Sequence, residues 1–215
     1  MPRILPAIIP RDRAELSTKL DLVRGVADWV QIDVMDGIFV PPKTWPYTEG
    51  TANDAADFAK EIKVEIHLMT QAPEKMIADW IAAKVSRVLV HPESTAEMGV
   101  IVDMLRGSNT EFGIALKLGT SVETVAPWMN ECRAIQLMSI GELGYHGHPF
   151  EERVFEKIEA VRTRYPNVAI NIDGGVTSAI IPRLIEAGVE NIVVGGAIFN
   201  TEDSRGALQK LVQSL

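Results

Sequence analysis

The sequence predicts an α/β fold, a single-domain (β/α)8 barrel over residues 1–215. Eight short β-like runs alternate with helix-like segments along the whole chain, and no linker or low-complexity stretch interrupts them. A length of 215 residues with 47% hydrophobic residues fits one large core. The alternative is a doubly wound sheet, which usually has fewer strands and a Gly-rich loop after the first one. Residues 6–10, Pro-Ala-Ile-Ile-Pro, form no such loop, and this favours the barrel, a TIM barrel.

The predicted strands are short runs rich in Val, Ile and Leu that lie between charged residues, Gly or Pro. They cover residues 3–8, 28–34, 62–68, 85–90, 112–117, 134–139, 168–172 and 191–194.

The predicted helices follow the strands, and several begin at recognisable start signals. Asp12 with Glu15 resembles a capped start, Pro73 suits a first helical turn, and residues 94–97 and 120–123 have the capping-box pattern. The predicted helices cover residues 12–24, 51–60, 73–83, 94–106, 120–130, 150–164, 177–187 and 203–215.

Composition excludes several classes of function. The net charge of -8 argues against nucleic acid as a partner, because phosphate binding needs clustered Lys and Arg. No apolar run approaches the ~20 residues that cross a bilayer, and the chain starts without a signal-peptide pattern, so we expect no membrane partner and a cytoplasmic location. The single Cys132 excludes an internal disulfide and a Cys-based zinc site, and we expect it to be buried and inert.

A barrel of this kind carries its function at the carboxyl ends of its strands, so those residues can be considered as a set. Gln31 and Asp33 are two apart near the end of the second strand and therefore point the same way. The other strand ends contribute two histidines, two methionines, a serine and a second aspartate: His67, Met69, His91, Met138, Ser139 and Asp173. We expect two carboxylates, a histidine and an amide to meet at one mouth.

Paired glycines follow the seventh and eighth strands. They are Gly174-Gly175 and Gly195-Gly196, each ahead of a predicted helix. Backbone N–H groups at such positions, together with the helix dipole, form the usual phosphate site of these barrels.

Four segments in this order closely resemble the ribulose-phosphate 3-epimerase family. They are Gln-Ile-Asp-Val-Met-Asp-Gly-Ile-Phe-Val-Pro at 31–41, Glu-Ile-His-Leu-Met at 65–69, Asn-Ile-Asp-Gly-Gly-Val at 171–176 and Val-Gly-Gly-Ala-Ile-Phe at 194–199. Val-His-Pro-Glu at 90–93 is similar too, and the order of elements agrees over nearly the whole chain. The third strand lacks the Asp-x-Lys-x-x-Asp pattern of the related decarboxylases and hexulose-phosphate synthases.

The resemblance implies a phosphosugar isomerase that uses a divalent metal, Mn, Mg, Fe or Zn. Family members hold the metal with two histidines and two aspartates, and the aspartates act as acid and base on opposite faces of C3. Asp33, His67 and Asp173 fall on three ligand positions, and Asp33 and Asp173 are the acid–base pair. The three methionines of the family that pack around the intermediate correspond to Met35, Met69 and Met138, for which plain core packing is the alternative.

The chain differs from the family at residues that would take part in the reaction or bind the substrate. Gln31 replaces the first metal histidine, which predicts a weaker site that prefers Mg²⁺ or Mn²⁺ to zinc. Lys117 follows the fifth strand and could supply a positive charge in place of the metal, although a position along the rim is favoured. The loop after the sixth strand carries Glu142, His146 and His148, and the two histidines could contact phosphate or replace the lost nitrogen ligand. A solvated lid with incidental histidines is the preferred alternative.

The leading hypothesis is therefore epimerisation of a pentulose or hexulose phosphate at C3. A non-catalytic phosphosugar-binding barrel and a metal-independent enzyme built on Lys117 are the alternatives. We also expect a homo-oligomer, because apolar residues in the loop after the second strand, Phe39, Trp45 and Tyr47, could pack on a neighbour. Contact of these residues with the substrate is an equal interpretation.

Overall fold

Eight parallel strands close into a barrel in which each strand pairs with the next in sequence and β8 pairs with β1. This architecture comes from a computed structural model that describes residues 1–145 and 147–215. The strands are β1 Arg3–Ile8, β2 Trp29–Met35, β3 Lys63–Met69, β4 Arg87–Val90, β5 Glu111–Leu116, β6 Cys132–Met138, β7 Ala169–Asp173 and β8 Asn191–Val194. The predicted (β/α)8 barrel is confirmed.

Helices surround the strands and cover the outside of the barrel. The α-helices are α1 Arg13–Val23, α2 Ala55–Phe58, α3 Ile77–Ala82, α4 Met98–Leu105, α5 Val154–Arg164, α6 Ile181–Glu186, α7 Gly196–Phe199 and α8 Ser204–Gln213. Four 3-10 segments are Ala52–Asp54, Pro73–Lys75, Pro92–Ser94 and Val122–Trp128. The strands are buried almost throughout, as expected where helices cover a parallel sheet.

Four predicted helix starts are wrong. The helices predicted from 150 and 177 begin at Val154 and Ile181, and for the starts at 94 and 120 the local hydrogen bonds explain the error. The hydroxyl of Ser94 donates to the carbonyl of His91 inside a 3-10 turn, so α4 begins only at Met98. Ser121, rather than Thr120, caps the next segment by accepting the N–H of Glu123. That segment is 3-10 rather than α-helical and contains Pro127, whose nitrogen cannot donate a backbone hydrogen bond.

The core lies between the outer face of the strands and the helices, and two predicted side-chain positions can be checked there. Cys132 is buried, as predicted. Trp45 is fully buried and lies edge-on to Trp80 with ring centroids 5.8 Å apart. The suggestion that Trp45 packs on a neighbouring subunit is therefore wrong, because its surface is already covered inside the chain. Within the described ranges, no helix combines the length and apolar character needed to cross a membrane.

Candidate active site

The end of β2, the end of β3 and the end of β7 bring three of the predicted site residues together. Asp33 and His67 are direct partners in the β2–β3 register, and Asp173 is the last residue of β7. The His67 Nδ1 atom lies 3.1 Å from Asp33 Oδ1 and 3.5 Å from Asp173 Oδ2. One ligand atom from each residue lies within 4.8 Å of the others, so the group can hold a metal ion.

Two glutamine amides complete this group. Gln31 Nε2 donates to Asp33 Oδ1 at 2.8 Å and to Asp173 Oδ2 at 2.9 Å, and it lies 3.4 Å from His67 Nδ1. Gln136, on β6, donates to Asp173 Oδ2 at 2.9 Å and lies 3.3 Å from His67 Nδ1. We call these five residues, Gln31, Asp33, His67, Gln136 and Asp173, the mouth cluster. Its two carboxylates face each other across a shared amide.

The charge of the mouth cluster is only partly compensated. Within residues 1–145 and 147–215, no Lys or Arg nitrogen lies within 4 Å of the carboxylate of Asp33 or Asp173. Burial, followed by the negative charge of Asp33, raises the pKa of Asp173 to about 7. Burial alone would lower the pKa of His67, but Asp33, Asp173 and Glu65 outweigh it and raise that pKa.

A hydrogen-bonded chain behind His67 orients its ring. His67 Nε2 lies 2.8 Å from His91 Nε2, and His91 Nδ1 lies 3.3 Å from Glu93 Oε2. Burial lowers the pKa of His91 to about 4, so this ring is neutral and carries one proton. The proton lies on His91 Nδ1, which donates a hydrogen bond to the Glu93 carboxylate. His91 Nε2 therefore carries no proton and accepts a hydrogen bond from His67 Nε2–H. His67 Nδ1 then faces the two aspartates, where a proton on it would donate to Asp33 Oδ1 and a metal ion would take that proton's place.

Glu93 is itself firmly held. Burial would raise the pKa of Glu93, but hydrogen bonds and the proximity of His91, with the Thr120 hydroxyl, lower it to about 2. The other carboxylate oxygen of Glu93 accepts the backbone N–H of Lys117 at 3.0 Å and the hydroxyl of Thr120. The carboxylate is therefore ionised at neutral pH and fixed in position behind the two histidines.

A cavity of about 620 Å³ opens above the mouth cluster. Asp33 and Asp173 line it, together with Met69 and Met138. Met35 belongs to the same small apolar cluster as these two methionines but does not line the cavity. The three methionines lie in one apolar cluster, and Met69 and Met138 alone of the three reach the cavity, so contact of all three with an intermediate stays a prediction.

Both glycine pairs line the same cavity. At Gly175, the close packing of the backbone also requires a glycine. Gly175 has φ +63°, and a Cβ atom there would lie 2.5 Å from the backbone nitrogen of Phe150 and 2.8 Å from the carbonyl oxygen of His148. The loop after β6 therefore packs directly against Gly175, and only glycine permits this approach. His148 lines the cavity, whereas Glu142 is exposed and does not. His146 lies outside the described residues.

Among the described residues, Lys117 makes no ion pair with the acids of the mouth cluster. Its Nζ lies 4.0 Å from the centroid of the Phe39 ring, and the residue does not line the cavity. Sequence reasoning missed two other residues. Gln136 is two residues before Met138 on β6, the spacing that singled out Gln31 and Asp33, so the same alternation could have found it. Arg183, on α6, lines the cavity and pairs with Glu152 at 2.6 Å.

The barrel, with a cavity and two acids at the carboxyl ends of its strands, has the arrangement of a (β/α)8-barrel enzyme. Residues 3–199 match the sequence profile of the Ribulose-phosphate 3 epimerase family, and the chain belongs to this family. The resemblance that the four segments indicated is confirmed.

Characterised relatives agree with this assignment. The chain is 31% identical to the ribulose-phosphate 3-epimerase of Mycobacterium bovis over 216 residues, which cover 98% of this chain and 91% of that protein. It is 27% identical to the ribulose-phosphate 3-epimerase of Bacillus subtilis, with 98% of each chain covered.

Solved structures show the same fold at lower sequence identity. A 3-hexulose-6-phosphate synthase has a TM-score of 0.73 at 20% identity and covers 99% of both chains. KGPDC from Streptococcus mutans has a TM-score of 0.73 at 10% identity and covers 100% of this chain and 97% of that one. At these identities the likeness concerns the barrel alone.

Proposed function

We propose that this protein epimerises a ketose phosphate at C3, with ribulose 5-phosphate as the first substrate to test and hexulose 6-phosphates as the next. The observation that carries the proposal is the pair Asp33 and Asp173. Their carboxylates bind the same Gln31 amide nitrogen at 2.8 and 2.9 Å, and both line one cavity. Two acids on opposite sides of a small planar intermediate are what inversion at one carbon needs.

The two acids divide the work of proton transfer. One carboxylate removes the C3 proton, and the other acid donates a proton to the opposite face. An acid of this kind works best when its pKa is close to the working pH, and the pKa of about 7 for Asp173 meets this condition. In one direction Asp173 donates and Asp33 accepts, and in the reverse direction the roles exchange.

The donor set fits a divalent cation. Asp33, His67 and Asp173 offer three ligand atoms. The nitrogen of Gln31 faces the acids and its buried oxygen has no hydrogen-bond partner among the described residues, so a half turn of the amide would offer that oxygen as the fourth. When bound, a divalent cation supplies positive charge that stabilises the negative oxygen formed as C3 loses its proton. The chain's own contribution is to hold the ligand atoms in place through His91 and Glu93.

The remaining wall of the cavity suits the rest of a sugar phosphate. Met69 and Met138 present apolar surface close to the acids, which helps to exclude water from the reacting carbon. Gly174, Gly175, Gly195 and Gly196 line the cavity as well and are proposed to receive the phosphate through backbone N–H groups. His148 lies beside them as a further polar contact.

Exchange of the C3 proton tests the proposal directly. The protein is incubated in D₂O with Mn²⁺ and ribulose 5-phosphate or a hexulose 6-phosphate, and loss of the C3 proton signal is followed by NMR. We expect exchange with one of these substrates and a loss of about 10²–10⁴-fold in Asp33→Asn and Asp173→Asn. Glu142→Gln is the matched control, because this carboxylate is exposed and lies outside the cavity.

Other outcomes identify the alternatives. Absence of exchange with every pentulose and hexulose phosphate would contradict the proposal. If sugar phosphates nevertheless raised the melting temperature, the result would support a non-catalytic phosphosugar-binding barrel. Trapping of a substrate on Lys117 by borohydride would support the metal-independent enzyme, although the packing of Lys117 over Phe39 argues against it.

A further inference from the structure

Gln136 occupies a position in the mouth cluster that neither the family resemblance nor the group of Asp33, His67 and Asp173 accounts for. Its side chain is fully buried, and Nε2 lies 2.9 Å from Asp173 Oδ2 and 3.3 Å from His67 Nδ1. Among residues 1–145 and 147–215, the one further polar contact of this nitrogen is a long one of 3.8 Å to the sulfur of Met138. Gln136 therefore directs its amide at the same atoms as Gln31 does.

The oxygens of both amides are buried and have no hydrogen-bond partner within residues 1–145 and 147–215. A buried acceptor without a partner destabilises the folded protein, and two in one cluster need an explanation. The nitrogen and oxygen of a primary amide have nearly the same shape, so a half turn of the amide exchanges them. After that turn, the oxygens of Gln31 and Gln136 would face the carboxylates, and the hydrogen bonds from the amide nitrogens to Asp33 and Asp173 would be lost. A cation between these oxygens would make the turned arrangement favourable.

The spacing of the polar atoms supports this. Neighbouring ligand atoms of an octahedral ion bound at about 2.1 Å lie about 3.0 Å apart. The separations within the mouth cluster are 2.8 Å and 2.9 Å from the Gln31 nitrogen to the two aspartates and 2.9 Å from the Gln136 nitrogen to Asp173. His67 Nδ1 lies 3.1 Å from Asp33 Oδ1. The other contacts to His67 Nδ1 are longer, at 3.3 Å from Gln136, 3.4 Å from Gln31 and 3.5 Å from Asp173. The five side chains thus converge on one centre, and those around His67 would have to move closer to become neighbours around one ion.

We propose that Gln136 is a fifth protein ligand of the cation site and that Gln31 and Gln136 together set its metal preference. Two carboxylates, two amide oxygens and one imidazole nitrogen make five donors, of which four are oxygens. Zinc favours four ligands rich in nitrogen or sulfur, whereas Mg²⁺ and Mn²⁺ accept six ligands rich in oxygen. The inference deepens the proposed function, since it names the metal class that the same site takes.

Metal titration of the full chain tests the inference without any assay of activity. Mn²⁺ binding is followed by the EPR signal of free Mn²⁺, and Zn²⁺ affinity is obtained by competition. We expect Gln136→Leu, which removes the amide but keeps apolar bulk, to weaken Mn²⁺ binding at least about tenfold. Zn²⁺ binding should change by less than about threefold, because a four-coordinate ion does not need the fifth ligand. Gln136→Glu, which restores an oxygen, should bind Mn²⁺ at least as tightly as the unmodified chain.

Thr70→Val is the matched control, because it removes another buried oxygen near the end of β3 that is outside the mouth cluster. It should leave Mn²⁺ affinity unchanged. Equal Mn²⁺ affinity in Gln136→Leu and the unmodified chain would overturn the inference. If Gln136→Leu did not fold, a crystal of the unmodified chain soaked in Mn²⁺ would decide: anomalous density bonded to the Gln136 oxygen supports the inference, and density bonded to the other ligands alone overturns it.

The two proposals fail separately. If the unmodified chain bound no Mn²⁺ but still exchanged the C3 proton, the ligand assignment would fall and the epimerase proposal would stand. If Gln136→Leu lost Mn²⁺ affinity as expected but the unmodified chain exchanged no C3 proton, the epimerase proposal would fall and the ligand assignment would stand.

Discussion

The barrel interior holds two buried polar clusters, one at each end, and they solve the problem of buried charge differently. At the lower end, Glu65 is fully buried and accepts a hydrogen bond from Arg87 at 2.7 Å and from the Asn171 amide at 3.2 and 3.3 Å. Arg87 also pairs with Glu111 at 2.6 Å and covers the ring of Trp29 at 4.7 Å. We call these residues the lower cluster. Glu65 and Glu111 share Arg87 as a permanent partner of opposite sign, although burial still outweighs Arg87 and raises the pKa of Glu65.

The mouth cluster lies on the same strands but lacks a cation of this kind. Glu65 and His67 are two residues apart on β3, and Asn171 and Asp173 are two apart on β7. At the mouth, two aspartates share one histidine and two amides, and no described Lys or Arg reaches them. A buried carboxylate pair without a fixed counter-charge lowers the stability of the folded protein, and a ligand that supplies positive charge would offset this loss. The lower cluster, with its arginine, is suited to a structural role, whereas the mouth cluster is suited to binding a positively charged ligand.

The largest effect should follow from breaking the lower cluster. Arg87→Met leaves Glu65 buried without its counter-ion, and we expect a loss of about 3–5 kcal/mol in the free energy of unfolding, measured with urea. Arg106→Met is the control, because Arg106 makes exposed ion pairs with Asp103 and Glu131 and should cost less than about 1 kcal/mol. Similar small losses in both variants would show that the lower cluster is not a charge-compensated structural network.

Removing an acid from the mouth cluster should raise the free energy of unfolding, whereas breaking the lower cluster should lower it. In EDTA at pH 8, we expect Asp173→Asn to be more stable than the parent by about 1–2 kcal/mol. The pKa of Asp173 is about 7 in the folded protein and about 3.9 in the unfolded chain, so the folded state binds more protons between these values. The carboxylate therefore destabilises the fold progressively as pH rises from about 4 to about 7.

The gain in Asp173→Asn should shrink as pH is lowered towards 4, where the folded and unfolded chains are both protonated at this position. Urea unfolding of the variant and the parent at a series of pH values provides the measurement. A variant that is less stable than its parent at pH 8 would mean that the mouth acids are compensated inside the protein, which would remove the contrast between the two ends.

A smaller effect is expected from the chain that orients His67. Glu93→Gln keeps the shape of the side chain but removes the carboxylate that fixes the proton on His91 Nδ1. We expect Mn²⁺ affinity to fall about tenfold while the melting temperature changes little, because the ligand His67 is then less well oriented. Glu97→Gln, an exposed carboxylate at the start of α4, should leave the affinity unchanged. Unchanged affinity in Glu93→Gln would show that the histidine chain does not tune the site.

The smallest effect concerns the inert lower end. Cys132 begins β6, and burial raises the pKa of its thiol to about 12. At pH 8 the thiolate fraction is then on the order of one in ten thousand, so DTNB should label the folded protein only as fast as the barrel opens. Labelling should become immediate in denaturing urea. Rapid labelling of the folded chain would indicate that the lower end opens locally and is not rigid.

The sequence predicted the strands well and the helix starts less well. Predicted strand bounds agree with the structure to within one or two residues, because a strand depends on a local run of aliphatic residues that the barrel buries. The helix starts at 94 and 120 failed because Ser, Thr and Glu at the right spacing also stabilise 3-10 turns, and only the surrounding loops decide between the two.

The site shows the same division. Asp33, His67 and Asp173 could be predicted because each stands at the end of a strand in a recognisable segment. Gln136 was missed although it alternates with Met138 on β6, because the alternation shows which way a side chain points but not which residues on other strands it meets. The distance of Lys117 from the acids depends on how its side chain packs over Phe39, a contact between residues 78 positions apart that no local pattern specifies.

The sequence by itself determined the order of eight strands, the polar residues at their ends and the family to which the chain belongs. Local backbone preference and the spacing of apolar residues are sufficient for these features. Only the tertiary structure decided that the Gln31 amide binds Asp173, which is 142 positions away, and that Gln136 joins them. Such distances depend on the closure and register of the whole barrel, and every strand contributes to them.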